Sequence, residues 1–202
     1  KICGLTRLPD ALAAVEAGAD ALGFMFFAGS QRNIAPAAAA EIIRALPPFV
    51  AKVGVFVNAS AETVRATVAE CGLDTLQFHG EETPAFCAQF GVPFIKAARV
   101  RPDLDLVKYA RKYAAARGLI LDAFVDGTHG GTGTSFDWSL VPRDLPLPVV
   151  LSGGLNAANV AQAIKRVTPW AVDVSSGVEA SPGIKDAQKL AAFMKEVRSA
   201  DV

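Results

Sequence analysis

The chain has 202 residues, 51% of them hydrophobic, and its 20 basic and 20 acidic side chains cancel to a net charge of zero. Such a chain can bury a large core, and the charge balance disfavours nucleic-acid binding, which needs a basic face. It lacks the roughly 18-residue apolar run of a membrane span, and three cysteines without metal-ligand spacing are typical of a reducing compartment. We therefore expect one cytoplasmic domain over residues 1–202, whose first strand is truncated because Lys1 already lies in an apolar run.

Short apolar runs alternate with amphipathic stretches along the whole chain. The predicted strands are residues 1–3, 21–27, 50–57, 75–79, 94–99, 119–122, 149–152 and 171–174. Several of them, such as residues 53–57, carry apolar side chains on both faces, as a parallel sheet covered on both sides requires. Eight strands of this kind, separated by helices, predict an α/β fold with a parallel sheet.

The helices are predicted from their periodicity and end signals. Apolar residues recur at i, i+3, i+4 and i+7 in residues 39–46, 160–167 and 187–194. The predicted N-caps are Ser60, Thr83, Asn156 and Asp186. Gly18 and Gly72 each suit the left-handed residue that follows a helix. Eight such units favour a (β/α)₈ barrel, and a doubly wound sheet is the competitor, although residues 3–6 lack the dinucleotide-binding glycines.

The ends of the first and sixth strands carry a candidate acid/base pair, because barrels place their chemistry at the carboxyl ends of the strands. Cys3 is either a buried small hydrophobe or a base, and a modest shift from the usual thiol pKa of about 8.5 would make it usable near neutrality. Asp122 either caps the following turn or acts as a general acid, since an apolar barrel favours the protonated carboxyl. Cys71 and Cys87, on predicted helices, are expected in the core.

Two glycine-rich stretches have different predicted roles. Gly127 to Gly133 is neither the G-x-G-x-x-G motif nor a P-loop, and we interpret it as a lid or ligand-lining loop. The turns after strands seven and eight are where barrel enzymes often bind phosphate with backbone N–H groups. The predicted phosphate-binding residues are Gly153, Gly154, Ser176 and Gly177.

Three further polar residues lie near the same strand ends, and the sequence leaves each of them open. Arg32 is either a surface side chain or a bidentate clamp for a carboxylate. His79 is either a structural histidine or a member of the site. Asp173 either orients substrate hydroxyls or bonds loop amides. His79 and Asp173 are therefore candidate substrate contacts.

Several motifs along the chain resemble those of one family, phosphoribosylanthranilate isomerase of tryptophan biosynthesis. They are Lys1-Ile2-Cys3-Gly4-Leu5-Thr6, Val53-Gly54-Val55-Phe56-Val57-Asn58, Gln77-Phe78-His79-Gly80, Gly131-Thr132-Gly133 with Phe136-Asp137-Trp138, Leu151-Ser152-Gly153-Gly154-Leu155 with Asn159-Val160, and Val172-Asp173-Val174-Ser175-Ser176-Gly177-Val178-Glu179 with Gly183-Ile184-Lys185-Asp186. The match runs from the first strand to the last helix. Each motif is weak alone, but their order is specific.

The resemblance implies a (β/α)₈ barrel that carries out an Amadori rearrangement of a phosphorylated small molecule without a cofactor or metal. It implies that Cys3 is the general base, Asp122 the general acid and Arg32 the ligand of the anthranilate carboxylate. This sequence departs from the common pattern at Gln31, Ala157 and Phe78, none of which belongs to the acid/base pair. The assembly implied is a monomer or a homodimer.

Other functions are weaker but stay open. The related histidine-pathway isomerase needs a second glycine-rich phosphate loop and an Asp at the position of Cys3, and this chain has neither. Other sugar-phosphate isomerases, epimerases or aldolases share the phosphate turns but expect a metal set or a Schiff-base lysine, for which only Lys52 and Lys96 come into question. A non-catalytic sugar-phosphate-binding protein would be free to lose Cys3 or Asp122.

Overall fold

The computed structural model describes residues 1–123 and 136–200. The predicted lid, Gly127 to Gly133, lies outside these residues. Seven α-helices occur in the part of the chain that is described. They are α1 (Leu8–Glu16), α2 (Pro36–Arg44), α3 (Ala61–Cys71), α4 (Pro84–Ala88), α5 (Leu106–Lys112), α6 (Val160–Val167) and α7 (Ala187–Ala200).

Eight strands form one parallel sheet in which each strand pairs with the next along the chain. They are β1 (Ile2–Cys3), β2 (Ala21–Met25), β3 (Ala51–Phe56), β4 (Thr75–Phe78), β5 (Phe94–Val100), β6 (Leu119–Ala123), β7 (Val149–Leu151) and β8 (Ala171–Val172). The last strand returns to the first, because Ile2 bridges Val174 in parallel and the Cys3 N–H donates to the Val174 carbonyl at 2.9 Å. Sequential order and closure confirm the (β/α)₈ barrel and exclude the doubly wound sheet, whose strand order reverses.

Most of the predicted helix ends are confirmed. The hydroxyls of Ser60 and Thr83 accept hydrogen bonds from the N–H groups three residues on, and the Asp186 carboxylate accepts two from the first turn of α7. Gly18 and Gly72 are left-handed, with φ of 97° and 59°. The prediction for Asn156 was wrong.

Asn156 does not cap α6, because a separate turn precedes that helix. The side chain of Asn156 accepts from the Ala158 N–H at 2.9 Å, and its own N–H donates to Asn159 Oδ1 at 2.9 Å. The backbone therefore closes on itself over residues 156–159, and α6 starts only at Val160. Asn159 occupies the N-cap position, and its amide turns back to the Gly154 carbonyl instead of capping.

A short hairpin follows β8 that the apolar pattern did not predict. Its strands are β9 (Glu179–Ser181) and β10 (Ile184–Lys185), paired antiparallel around Gly183, whose φ is 80°. The strands are too short and too polar to show a period of two. Their importance is positional, because they bring the side chains of Glu179 and Lys185 to the barrel mouth.

Phe78 illustrates how strand alternation divides the core from the site. Its ring is fully buried between the barrel and the outer helices, with four other phenylalanine rings at centroid distances of 5.7 to 6.3 Å. Its neighbours Gln77 and His79 point the opposite way, into the barrel mouth. Cys71 and Cys87 are buried among the helices, as predicted.

Candidate active site

A cavity opens at the carboxyl ends of the barrel strands, with a volume of about 650 Å³ including its mouth. Eight of the predicted site residues line it: Cys3, Arg32, His79, Asp122, Gly153, Gly154, Asp173 and Ser176. They come from five strand ends and the loop after β2. Residues far apart in the chain therefore meet as the barrel geometry requires.

Gly177 is not on the cavity wall. A Cβ at this position would overlap the carbonyl oxygen of Leu155, so the β8 turn can pass the β7 turn only with glycine here. This close contact gives Gly177 a packing role beside the cavity. A glycine needed for backbone contact looks the same in sequence as one needed for a ligand, so phosphate binding by the Gly177 N–H stays a prediction.

Cys3 is a free, buried thiol, 6% exposed. Burial raises its pKa above the ordinary value, because a thiolate loses hydration there, while Lys1 and Lys185 pull the pKa down and Asp173 adds to the rise. The net direction is upward. The modest downward shift that would make the thiol usable near neutrality is therefore absent here, because burial disfavours the thiolate more than the nearby cations favour it.

Two lysines surround Cys3 in this buried setting. The Lys1 ammonium donates to Asp173 Oδ1 at 2.6 Å, and Lys185 Nζ donates to the Cys3 carbonyl at 2.6 Å. Asp173 also accepts from the Ser152 hydroxyl at 3.1 Å. Burial alone would raise the pKa of Asp173, but the positive charges of the Lys1 side chain and the N-terminal ammonium, with the hydrogen bonds from Lys1 and Ser152, together outweigh burial and lower the pKa. Among the described residues, the Asp173 carboxylate therefore bonds side chains.

Asp122 lies on β6 with its carboxyl buried, 6% exposed. Its Oδ1 accepts from the Ala123 N–H at 2.8 Å, and its Oδ2 lies 3.3 Å from His79 Nε2. Gly153 makes this position possible. A Cβ there would stand 2.9 Å from Asp122 Oδ1, and the φ of 81° disfavours any side chain.

Arg32 forms a two-point contact with Glu179 of the unpredicted hairpin. Its Nε and Nη2 donate to the two carboxylate oxygens at 2.8 and 2.7 Å. A guanidinium carries five N–H donors, so the edge formed by Nη1 and the second Nη2 hydrogen is still available to an anion in the cavity. Lys185 Nζ donates to Glu179 at 2.7 Å as well. No role for Glu179 or Lys185 is predicted from the sequence.

This cluster predicts a loss of stability in acid. Burial alone would raise the pKa of Glu179, but hydrogen bonds from Arg32 and Lys185 outweigh burial and lower it. A lowered carboxyl pKa stabilises the fold above the unfolded-state value of about 4.3, and this stabilisation is lost as the pH falls through and below that value. We expect urea denaturation to show a steeper acid decline in the wild type than in Glu179→Gln. Equal slopes for the two proteins would contradict the assignment.

The turns after β7 and β8 line the same cavity. Gly153 and Gly154 have φ of 81° and 65°, so their N–H groups face directions that most residues cannot adopt. Ser176 opens a short 3₁₀ turn at the end of β8. The hydroxyl of Ser175 is buried without a hydrogen-bond partner among the described residues. Buried hydroxyls are usually hydrogen-bonded, so this one can donate to a ligand. The sequence analysis did not assign Ser175.

Lys96 has a structural role. Its Nζ is fully buried and donates to the carbonyls of Phe78 and Gly80 at 3.1 and 2.6 Å, and it pairs with Glu82 at 3.3 Å. An amine with these partners is not free to attack a carbonyl, which disfavours the aldolase alternative. Within residues 1–123 and 136–200, no group of three or more His, Cys, Asp or Glu side chains is placed to hold a metal ion.

Comparison with known proteins agrees with this geometry. The sequence model of the N-(5'-phosphoribosyl)anthranilate isomerase family matches residues 1–196. The chain belongs to that family. The enzyme of this name from Nitrosospira multiformis is 58% identical over 197 residues, which cover 98% of this chain and 95% of the relative.

Solved structures of the family superpose closely. The phosphoribosylanthranilate isomerase of Thermotoga maritima is 44% identical, with a TM-score of 0.91 over 98% of this chain and 97% of that one. A second structure of a phosphoribosylanthranilate isomerase holds reduced 1-(o-carboxyphenylamino)-1-deoxyribulose 5-phosphate. It is 43% identical, with a TM-score of 0.87 and the same coverage of both chains. In the present member of the family, no helix in the described ranges is long and apolar enough to cross a bilayer.

Proposed function

We propose that the chain catalyses the Amadori rearrangement of N-(5-phosphoribosyl)anthranilate to 1-(2-carboxyphenylamino)-1-deoxyribulose 5-phosphate, a step of L-tryptophan biosynthesis. The observation that carries the proposal is the pairing of Cys3 and Asp122 in one cavity of a chain that belongs to this isomerase family. The two side chains reach it from β1 and β6, on different sides of the barrel.

The reaction begins at the acid. Asp122 gives a proton to the furanose ring oxygen of the substrate, and the bond from that oxygen to C1′ breaks. The nitrogen lone pair then forms a Schiff base with C1′. The aspartate that results is stabilised by the Ala123 N–H on Oδ1. A donor already in place at the developing charge lowers the barrier without costly reorganisation.

The base completes the isomerisation. The Cys3 thiolate takes the proton from C2′, giving an enolamine that tautomerises to the ketone with a proton added at C1′. Oxidation at C2′ balances reduction at C1′, so the step needs no external oxidant and no cofactor. Burial raises the pKa of Cys3, and the positive Schiff base together with Lys1 favours the thiolate when it is needed.

The two ends of the substrate have separate sites in this proposal. The free edge of Arg32 binds the anthranilate carboxylate. The N–H groups of Gly153 and Gly154, with Ser176, bind the phosphate in the same cavity. Holding the substrate at both of its anionic groups orients the ribose toward the acid/base pair. Neutral backbone donors suffice for a phosphate, since a helix or turn N-terminus favours negative charge.

An assay tests the function directly. Purified protein is mixed with freshly generated phosphoribosylanthranilate, and the loss of substrate fluorescence is followed. Turnover proportional to enzyme concentration supports the proposal. Substrate that binds, as seen by calorimetry, but does not react would instead favour the non-catalytic sugar-phosphate-binding alternative.

Arg32→Ala is expected to raise KM by about 10- to 100-fold, because a charged hydrogen-bonded pair with the substrate is lost. Steady-state kinetics with the substrate and with its aniline analogue, which lacks the carboxylate, measures the effect. The variant should no longer distinguish the two compounds. Arg65→Ala, on α3 with a partner at Gln89, serves as the matched control. An unchanged KM would count against the clamp.

Two coarser properties also belong to the proposal. We propose that the protein works in the cytoplasm, which the three free cysteines support.

The proposed assembly is a monomer or a homodimer. A dimeric phosphoribosylantranilate isomerase occurs in Thermotoga maritima. Light scattering during gel filtration distinguishes the two states.

A further inference from the structure

The imidazole of His79 holds a buried nitrogen whose role is not explained by packing. Nε2 has no hydrogen-bond partner among the described residues, although the ring is only 6% exposed and lines the cavity. The Oδ2 atom of Asp122 lies 3.3 Å from this nitrogen. Buried polar atoms are nearly always hydrogen-bonded, so an unpaired one beside the proposed acid indicates a function.

The other nitrogen of the ring determines which atom carries the proton. Gln77 Nε2 lies 3.0 Å from His79 Nδ1, and both groups are buried. In this orientation of the Gln77 amide, whose Oε1 is buried without a partner among the described residues, the amide nitrogen can only donate, so Nδ1 accepts with its lone pair. A neutral imidazole has one proton, which then lies on Nε2, the nitrogen that faces Asp122. Gln77 and His79 are two residues apart around the end of β4, so their side chains share one face.

The hydrogen bonds of Asp122 favour Oδ2 as the oxygen that carries its acidic proton. Asp122 Oδ1 already accepts the Ala123 N–H at 2.8 Å, which leaves Oδ2 to carry the acidic hydrogen. If His79 Nε2–H donates to one lone pair of Oδ2, the hydrogen on Oδ2 has to point elsewhere. The remaining direction is the cavity, where the substrate's ring oxygen would lie.

We propose that His79 is a positioning residue for the acid: as the neutral Nε2–H tautomer held by Gln77, it directs the Oδ2 proton of Asp122 toward the substrate. This inference rests on the proposed isomerase function. The separation of 3.3 Å is compatible with it, since such contacts are often loose without substrate and tighten in the complex. After proton transfer, the same N–H stabilises the carboxylate.

Nuclear magnetic resonance of the wild-type protein tests the tautomer without any assay. The protein is labelled with ¹⁵N in histidine, and long-range ¹H–¹⁵N spectra at neutral pH show which ring nitrogen is protonated. The chain has two histidines, and His129→Gln assigns the second set of signals. We expect the His79 proton on Nε2. A proton on Nδ1, which the reversed Gln77 amide would require, or on both nitrogens would overturn the proposal.

Kinetics of three variants tests the consequence. His79→Leu is expected to lower kcat by about 10- to 100-fold with KM changed by less than about threefold, because a hydrogen bond to a charged group is lost. His79→Gln keeps an N–H donor and should recover most of that loss. Gln77→Glu accepts from Nδ1–H, moves the lone pair to Nε2, and should lower kcat although His79 is intact.

Each outcome decides the matter. An unchanged kcat in His79→Leu, or a change confined to KM, would overturn the positioning role. Recovery in His79→Gln supports it. If the leucine variant does not fold, the wild-type spectrum and His79→Gln still decide. Failure of the proposed function is recognised separately, because the wild type would then be inactive while its spectrum still reports the His79 tautomer.

Discussion

Asp122→Asn is expected to lower kcat by about 10²- to 10⁴-fold, the range for loss of a positioned general acid. Asparagine has the same shape and can still accept the Ala123 N–H, so the fold should survive, but its amide cannot supply an acidic proton.

Cys3→Ser should cause a loss of the same order, since a neutral hydroxyl is a far weaker base than a thiolate. Steady-state kinetics, with circular dichroism to verify folding, measures both.

A matched control exists for the cysteine. Cys71→Ser makes the same exchange at a buried thiol on α3 that does not line the cavity and whose sulfur donates to the Pro36 carbonyl. Its kcat should equal that of the wild type. Near-normal turnover of either Asp122→Asn or Cys3→Ser would remove that residue from the mechanism. A loss in Cys71→Ser as large as in Cys3→Ser would point to general destabilisation instead.

Lys96→Met is expected to reduce the free energy of unfolding by about 3–5 kcal/mol, the cost of removing one member of a buried ion pair. The ammonium is the hydrogen-bond donor for two strand-end carbonyls and pairs with Glu82, whose carboxylate also accepts from the N–H groups of Asn58 and Gly80. Methionine fills the volume but leaves this carboxylate without its cation. Chemical denaturation at neutral pH measures the difference.

Lys52→Met provides the comparison. Lys52 pairs with Asp74 at 3.0 Å, but both side chains are partly exposed, so its removal should cost only about 0–1 kcal/mol. The same substitution at two strand lysines thus tests burial alone. A loss at Lys96 as small as that at Lys52 would show that the Lys96 network does not stabilise the fold.

The elements were predictable where one local rule decides. Strands with apolar residues on both faces can only lie inside a parallel sheet, and Gly72 can only end a helix in the left-handed conformation. The N-cap prediction for Asn156 failed because two asparagines three residues apart, Asn156 and Asn159, each offer a hydrogen-bonded turn, and the sequence does not rank them. The hairpin around Gly183 failed because its strands are too short to show a pattern.

Most residues of the site could be predicted from the sequence, but their contacts and pKa shifts could not. Cys3 and Asp122 were identified because a barrel brings all strand ends to one mouth, whatever the loops do. The direction of the Cys3 pKa depends on burial and on the balance of nearby charges, which exist only after folding. The contact of Arg32 with Glu179 spans most of the chain and has no local signature.

The barrel, the family and most residues of the cavity could be predicted from the sequence alone. Strand periodicity and the position of a residue at a strand end are local properties, and closure of the barrel brings the strand ends together. The contacts of each residue became visible only in the folded structure. There the Lys96 ammonium bonds backbone carbonyls, Gly177 packs against the Leu155 carbonyl, and His79 lies beside Asp122. These roles depend on contacts between residues on different strands. Residues that are far apart in the sequence make such contacts only when the barrel closes.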